Sequence, residues 1–143
     1  MKPSLKNIIL FVDDDPDDLE FYGESMMNAH AGLLIREARS GILALEYLRK
    51  AKEADELPCL IVLDVNMPVM SGKDTLLEIK KDKVLAEIPV VIFSTASNPR
   101  EKEYFNEHEV AFFTKPCTFS EMESMTKQLL NYCAFPISKV QHS

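Results

Sequence analysis

The chain has no tryptophan, only four glycines among its 143 residues, and no long low-complexity tract. It also lacks a basic balance: its formal net charge is −7 and its sequence pI is near 5.0, so nucleic acid is not expected as a direct partner. Its apolar runs are too short to span a bilayer, and the N-terminus has no signal-peptide core, which makes the cytoplasm the expected location. Asn7–Val12 resembles such a core, but it is short and leads straight into acids. The three cysteines, Cys59, Cys117 and Cys133, have no metal-ligand spacing. Being odd in number, they read as free thiols in or near the core. There is no repeat at a solenoid period. Hydrophobic residues at 46% and charged residues at 27% fit one globular domain.

What is present is a set of short apolar runs that end on polar residues. Cys59-Leu60-Ile61-Val62-Leu63 ends on Asp64, and Pro68 follows. A short, wholly apolar run closed by a breaker predicts a strand buried on both faces. Asn7–Val12 is a second such strand and ends on Asp13-Asp14-Asp15. Pro89–Ser94 ends at Thr95, and Val110–Thr114 ends at Lys115-Pro116. Leu33–Ala38 is less apolar and belongs near a sheet edge.

Five helices alternate with these strands. Asp15 caps the first and Pro16 opens it, with Leu19, Tyr22, Met26 and Met27 at inward spacing to about Ala29. Asp17 and Asp18 suit the positive end of its dipole. Ser40 caps the second, with Ile42, Ala44, Leu45, Leu48 and Ala51 inward, and Lys50–Leu57 reads as a charged loop. The third starts at Ser71-Gly72 with Leu76 and Ile79 inward. The fourth, Asn98 to about Glu107, has few apolar anchors beyond Tyr104 and Phe105, so it is expected to be the least firmly packed. The fifth places Phe119, Met122, Met125, Leu129 and Cys133 inward, and residues 134–143 form a tail.

Alternation of this kind predicts an α/β fold: a doubly wound, five-stranded parallel sheet of flavodoxin-like order 2-1-3-4-5 flanked by five helices. Right-handed crossovers bring every strand's carboxyl end to one edge. Asp13, Asp14, Asp64, Thr95 and Lys115 then meet in one crevice. Two unit charges ~4 Å apart repel by roughly 4 kcal/mol at an effective dielectric of about 20, so three carboxylates there call for a cation. An all-oxygen donor set suits Mg²⁺, with Mn²⁺ as the alternative. The metal and Lys115 would form a positive focus for a phosphoryl group, Thr95 would donate to it, and Asp64 is the natural nucleophile.

The segments Val12-Asp13-Asp14-Asp15-Pro16, Asp64-Val65-Asn66-Met67-Pro68, Thr95-Ala96 and Lys115-Pro116 together resemble the receiver domain of two-component response regulators, over about Ile8–Cys133. The resemblance implies that Asp64 is the phosphoacceptor. Mg²⁺ would be held by Asp14, Asp64 and the Asn66 backbone carbonyl, with Asp13 helping through water. It implies that Lys115 pairs with the phosphate and that its bond to Pro116 is often cis. Thr95 would be the switch hydroxyl and Phe112 the switch aromatic, while Val65, Met67, Ala96, Ser97 and Pro116 flank the site.

The implied protein is a single-domain switch over 1–133 with no output domain in 134–143. It would not be an enzyme: it accepts phosphate autocatalytically from a histidine kinase or histidine phosphotransfer protein, with slow self-dephosphorylation. It would signal to a downstream protein through the face of helix four, strand five and helix five, without inserting into a membrane. Two other readings stand beside it: a scaffold of the same fold that is never phosphorylated, and a small phosphohydrolase. The acidic run also mimics a calcium loop, with Asp13, Asp15, Asp17 and Glu24 in register. However, Asp18 stands where that loop needs glycine.

Overall fold

A computed structural model of the chain describes residues 4–29, 32–95 and 99–133. The strands are β1 (Leu5–Val12), β2 (Leu34–Ala38), β3 (Leu57–Asp64), β4 (Val90–Ser94) and β5 (Ala111–Thr114). The helices are α1 (Pro16–Ala29), α2 (Gly41–Ala54), α3 (Gly72–Lys81), α4 (Pro99–Glu107) and α5 (Phe119–Tyr132), with a short 3-10 turn at Leu85–Glu87 that the sequence pattern did not announce. All strand pairs are parallel, in the order β2-β1-β3-β4-β5. β3 is buried along its whole length, whereas β2 at the edge buries only Ala38.

Two cores lie on the two faces of this sheet. Leu10, Val12, Ile61 and Leu63 point toward α2, α3 and α4, where they meet Leu48, Leu76, Ile79 and Phe105. Ile9, Phe11, Leu60 and Val62 point the other way, onto Leu19, Tyr22 and Met26 of α1 and Met122 and Leu129 of α5. Alternate residues of one strand thus serve different cores, which is why the strands read as unbroken apolar runs.

Several expectations need correction. Met27, Ile42 and Phe119 are exposed, at 59%, 51% and 76%. Met27 lies a helical step away from buried Met26, Ile42 lies off the buried stripe of Gly41, Ala44, Leu45, Leu48 and Ala51, and Phe119 is the first residue of its helix. The segment from Lys50 is helical as far as Ala54. Ala51 is buried in it, and Asp55 closes the helix in the left-handed region by donating its N–H to the Ala51 and Lys52 carbonyls. The cysteines are not all free thiols: Cys59 at the start of β3 and Cys133 at the end of α5 are joined in a disulfide, their Cα atoms 5.0 Å apart. Only Cys117 is free, and it is exposed. An odd total hid the pair. Finally, Lys115–Pro116 is trans, the form that X–Pro bonds favour, and no cis peptide occurs among the described residues.

Candidate functional site

The carboxyl ends of β1, β3, β4 and β5 deliver the polar residues to one edge. The backbone ladder runs on past the strands: the Asp13 N–H donates to the Ala38 carbonyl, that of Val65 to Phe93, and that of Lys115 to Ser94. Asp13, Lys115 and the residue after Asp64 are therefore seated by a neighbouring strand. Asp15 accepts from the Asp17 N–H at 2.9 Å and caps α1, and Asp13 Oδ1 accepts from the Asp15 N–H at 3.0 Å. Ser71 caps α3 through the Asp74 N–H. Gly72 lets that helix approach the end of β3: a Cβ there would fall on the Asp64 carbonyl oxygen and lie 2.8 Å from the Val65 Cα.

Asp13, Asp14 and Asp64 each offer an oxygen, and these lie within 4.8 Å of one another. Asp13 and Asp64 are buried and Asp14 is exposed. Lys115, also buried, reaches into the cluster. Its Nζ lies 2.8 Å from Asp13 Oδ2, 3.2 Å from Asp18 Oδ2 and 3.4 Å from Asp64 Oδ1. Asp13 Oδ2 is buried, and the Lys115 ammonium is its close charge partner. Asp64 Oδ1 is steered by the Asn66 N–H at 3.4 Å.

Burial dominates the electrostatics. It pushes the Asp64 carboxyl up to about 6, and the Asp13 charge adds to this while Lys115 opposes it. Burial raises Asp13 as well, against the pull of Lys115. Burial alone would lower Lys115, but the Asp13 and Asp64 carboxylates outweigh it and hold the ammonium above its ordinary range.

Three convergent carboxylates, two of them buried, match the oxygen-only ligation that Mg²⁺ and Mn²⁺ require. Bound there, such an ion would supply positive charge to a phosphoryl group.

Thr95, just past β4, is exposed and shares a groove with Lys115 and Pro116. Phe112 on β5 is half-buried, its ring stacked 5.9 Å from that of Phe105 in α4. Val65 and Met67 are buried beside the site, and Val69 in the same loop is 95% exposed at a φ of 68°. Ala96 and Ser97 lie outside the described residues, as does the tail 134–143.

The sequence pattern singled out neither the Asp18 contact to Lys115 nor the role of Gly72. Nor did it foresee Lys73, whose ammonium sits 3.9 Å from the Tyr104 ring centroid and ties α3 to α4. The only forewarning of the first was a second acid in the opening turn of α1.

Residues 9–127 match the family model of the response regulator receiver domain. A probable methanogenesis regulatory protein, FilR2, of Methanothrix harundinacea is 27% identical over 139 residues, 87% of this chain and 82% of its own length. Response regulator Rcp1 of Synechocystis is 27% identical over 128 residues, 87% of each chain. A crystal structure of the Mn(2+)-bound form of response regulator Rcp1 aligns with a TM-score of 0.73 at 28% identity, over 85% of this chain and 89% of that one. The phosphorylated cyanobacterial phytochrome response regulator RcpA gives a TM-score of 0.78 at 29% identity, over 90% and 94%.

Proposed function

The chain belongs to the response regulator receiver domain family of two-component signalling, and we propose that it takes its phosphoryl group on Asp64. The observation that carries this is the buried Asp64 carboxylate, 3.4 Å from the Lys115 ammonium and within 4.8 Å of the Asp13 and Asp14 carboxylates, at the carboxyl edge of the central strand.

In this reading Asp64 Oδ attacks phosphorus, and Lys115 neutralises the charge that gathers on the phosphoryl oxygens. Asp13, Asp14, Asp64 and the Asn66 carbonyl would hold Mg²⁺. That a solved receiver neighbour is Mn(2+)-bound supports a divalent ion here. Burial of Asp13 and Asp64 excludes water and strengthens each of these charge contacts. Thr95 donates to the phosphoryl group from β4, and Phe112 follows it, altering the packing against Phe105 and so the seat of α4. Val65, Met67 and Pro116 shape the walls, with Ala96 and Ser97 assigned beside Thr95.

Residues 1–133 form the receiver unit, and 134–143 are assigned as a tail. The face of α4, β5 and α5 meets a downstream protein, and the donor is a histidine kinase or a histidine phosphotransfer protein. α4 supports such an output: Phe105 is its one buried residue, against three in α5. No helix among the described residues is long and apolar enough to cross a membrane, and we assign the chain to the cytoplasm. It is a switch, not an enzyme that turns over a substrate.

The test is intact mass after incubation with acetyl phosphate, with and without Mg²⁺, on the wild type and Asp64→Asn. One phosphoryl adduct that requires both Mg²⁺ and Asp64 is the expected result. An adduct that survives in Asp64→Asn sinks the assignment.

A further inference from the structure

Of the three carboxylates that touch Lys115, Asp18 is the one with no part in the chemistry proposed above. Asp13 and Asp64 contact the ammonium from inside the site, and both are buried. Asp18 contacts it at 3.2 Å from the first turn of α1, with its side chain 36% exposed. The contact follows from the local sequence: Pro16 starts the helix, and its third residue reaches Lys115 just past β5. Asp18 also stands at a groove of about 380 Å³ that Lys115 shares with Phe21, Thr95, Pro116 and Phe119. A donor entering along that groove meets the Asp18 charge before it reaches the lysine.

Building on the Asp64 acceptor reading, we propose that Asp18 slows phosphoryl transfer from small anionic donors. It is a fixed anion at the mouth of the groove that occupies the outer side of Lys115 and disfavours small anionic donors. A small donor such as acetyl phosphate carries its charge unshielded and must displace Asp18 from Lys115 to be held. A histidine donor brings the phosphoryl group on an imidazole nitrogen instead. The covalent step is the same for both. The Asp64 oxygen forms the new bond to phosphorus, the bond from phosphorus to the donor breaks, and its electron pair leaves with acetate or with the imidazole nitrogen.

The experiment is a time course of intact mass on the full chain with Mg²⁺ and acetyl phosphate, comparing wild type, Asp18→Asn, Asp18→Glu and Asp17→Asn. Asp17 is an exposed acid of the same helical turn with no ion pair to Lys115 among the described residues, so its variant controls for net charge and helix dipole. Asp18→Asn is expected to take phosphate about three- to ten-fold faster at low ionic strength. The gain should shrink toward unity near 1 M salt, where the screening length falls to about 3 Å. Asp17→Asn should stay within about two-fold of wild type, and Asp18→Glu should restore the slow rate. A gain equal to that of Asp17→Asn, or one indifferent to salt, overturns the proposal while leaving Asp64 as acceptor. Absence of any adduct on the wild type and on Asp18→Asn alike overturns the acceptor reading and the role of Asp18 with it.

Discussion

Asp64 sits ionised in a place that resists its charge. Its folded-state pKa of about 6 lies above the ordinary 3.8, so between these values the folded chain keeps a proton that the unfolded chain has lost. Its contribution to stability is therefore largest in acid and falls away as pH rises through about 6. In metal-free protein, Asp64→Asn should melt near the wild type at pH 4 and progressively above it by pH 7. The ceiling is about 3 kcal/mol at 1.36 kcal/mol per pKa unit. Mg²⁺ should likewise raise the melting temperature of the wild type. Curves that stay parallel across this range would show that the carboxylate is not desolvated. Lys115→Met is the converse: it leaves buried Asp13 and Asp64 without their ammonium. Denaturation at pH 7 without metal should show a loss of roughly 3–5 kcal/mol, smaller at pH 4–5 where the acids can protonate. At this scale the pattern of strand ends was enough to bring Asp13, Asp14, Asp64 and Lys115 together. It was silent on Asp18, because Asp17 and Asp18 satisfy a helix dipole equally well and only the rotation of the first turn over β5 tells them apart.

At the level of elements, the join between β3 and α3 governs how firmly the acceptor is held. Gly72 is packed against the Asp64 carbonyl, and its N–H donates to the Val65 carbonyl at 2.9 Å. Both neighbours are backbone and cannot swing aside. Gly72→Ala should cost about 1–3 kcal/mol in urea denaturation and slow phosphoryl uptake, since α3 or the Asp64 peptide must shift. A variant with unchanged stability and uptake would mean that the loop yields freely. Strands and helices were readable because apolar runs and 3.6-residue spacing report burial directly. The end of α2 was not, since Lys50, Lys52 and Glu53 face water and carry no such signal, although lysine and glutamate favour helix. Phe119 misled for the opposite reason. Its apolar side chain stands exposed and edge-on to Phe21, at a ring distance of 5.4 Å.

For the molecule as a whole, the disulfide was beyond the reach of the sequence, because Cys59 and Cys133 are 74 residues apart and meet only when α5 closes over the second core. Closing a loop of that length in the unfolded chain stabilises the fold by roughly 4 kcal/mol in the chain-entropy account. Reduction with a dithiol should lower the melting temperature of the wild type and leave that of Cys59→Ser unmoved. Equal responses would show that the bridge adds nothing. A reducing cytoplasm works against such a bond, so counting thiols on protein trapped from cells connects the bridge to its compartment.

The same bridge decides how the chain carries load. Tension applied at Cys133 passes through sulfur into β3, the strand that ends at Asp64, and bypasses the packing of α5. Pulled between Ser4 and Cys133, the oxidised chain can pay out only the segment before Cys59, roughly 190 Å at about 3.4 Å per residue, whereas the reduced chain releases roughly 440 Å. β4, α4 and β5, with Thr95, Phe112 and Lys115, lie inside a covalent ring that tension between Ser4 and Cys133 does not reach while the bridge is intact.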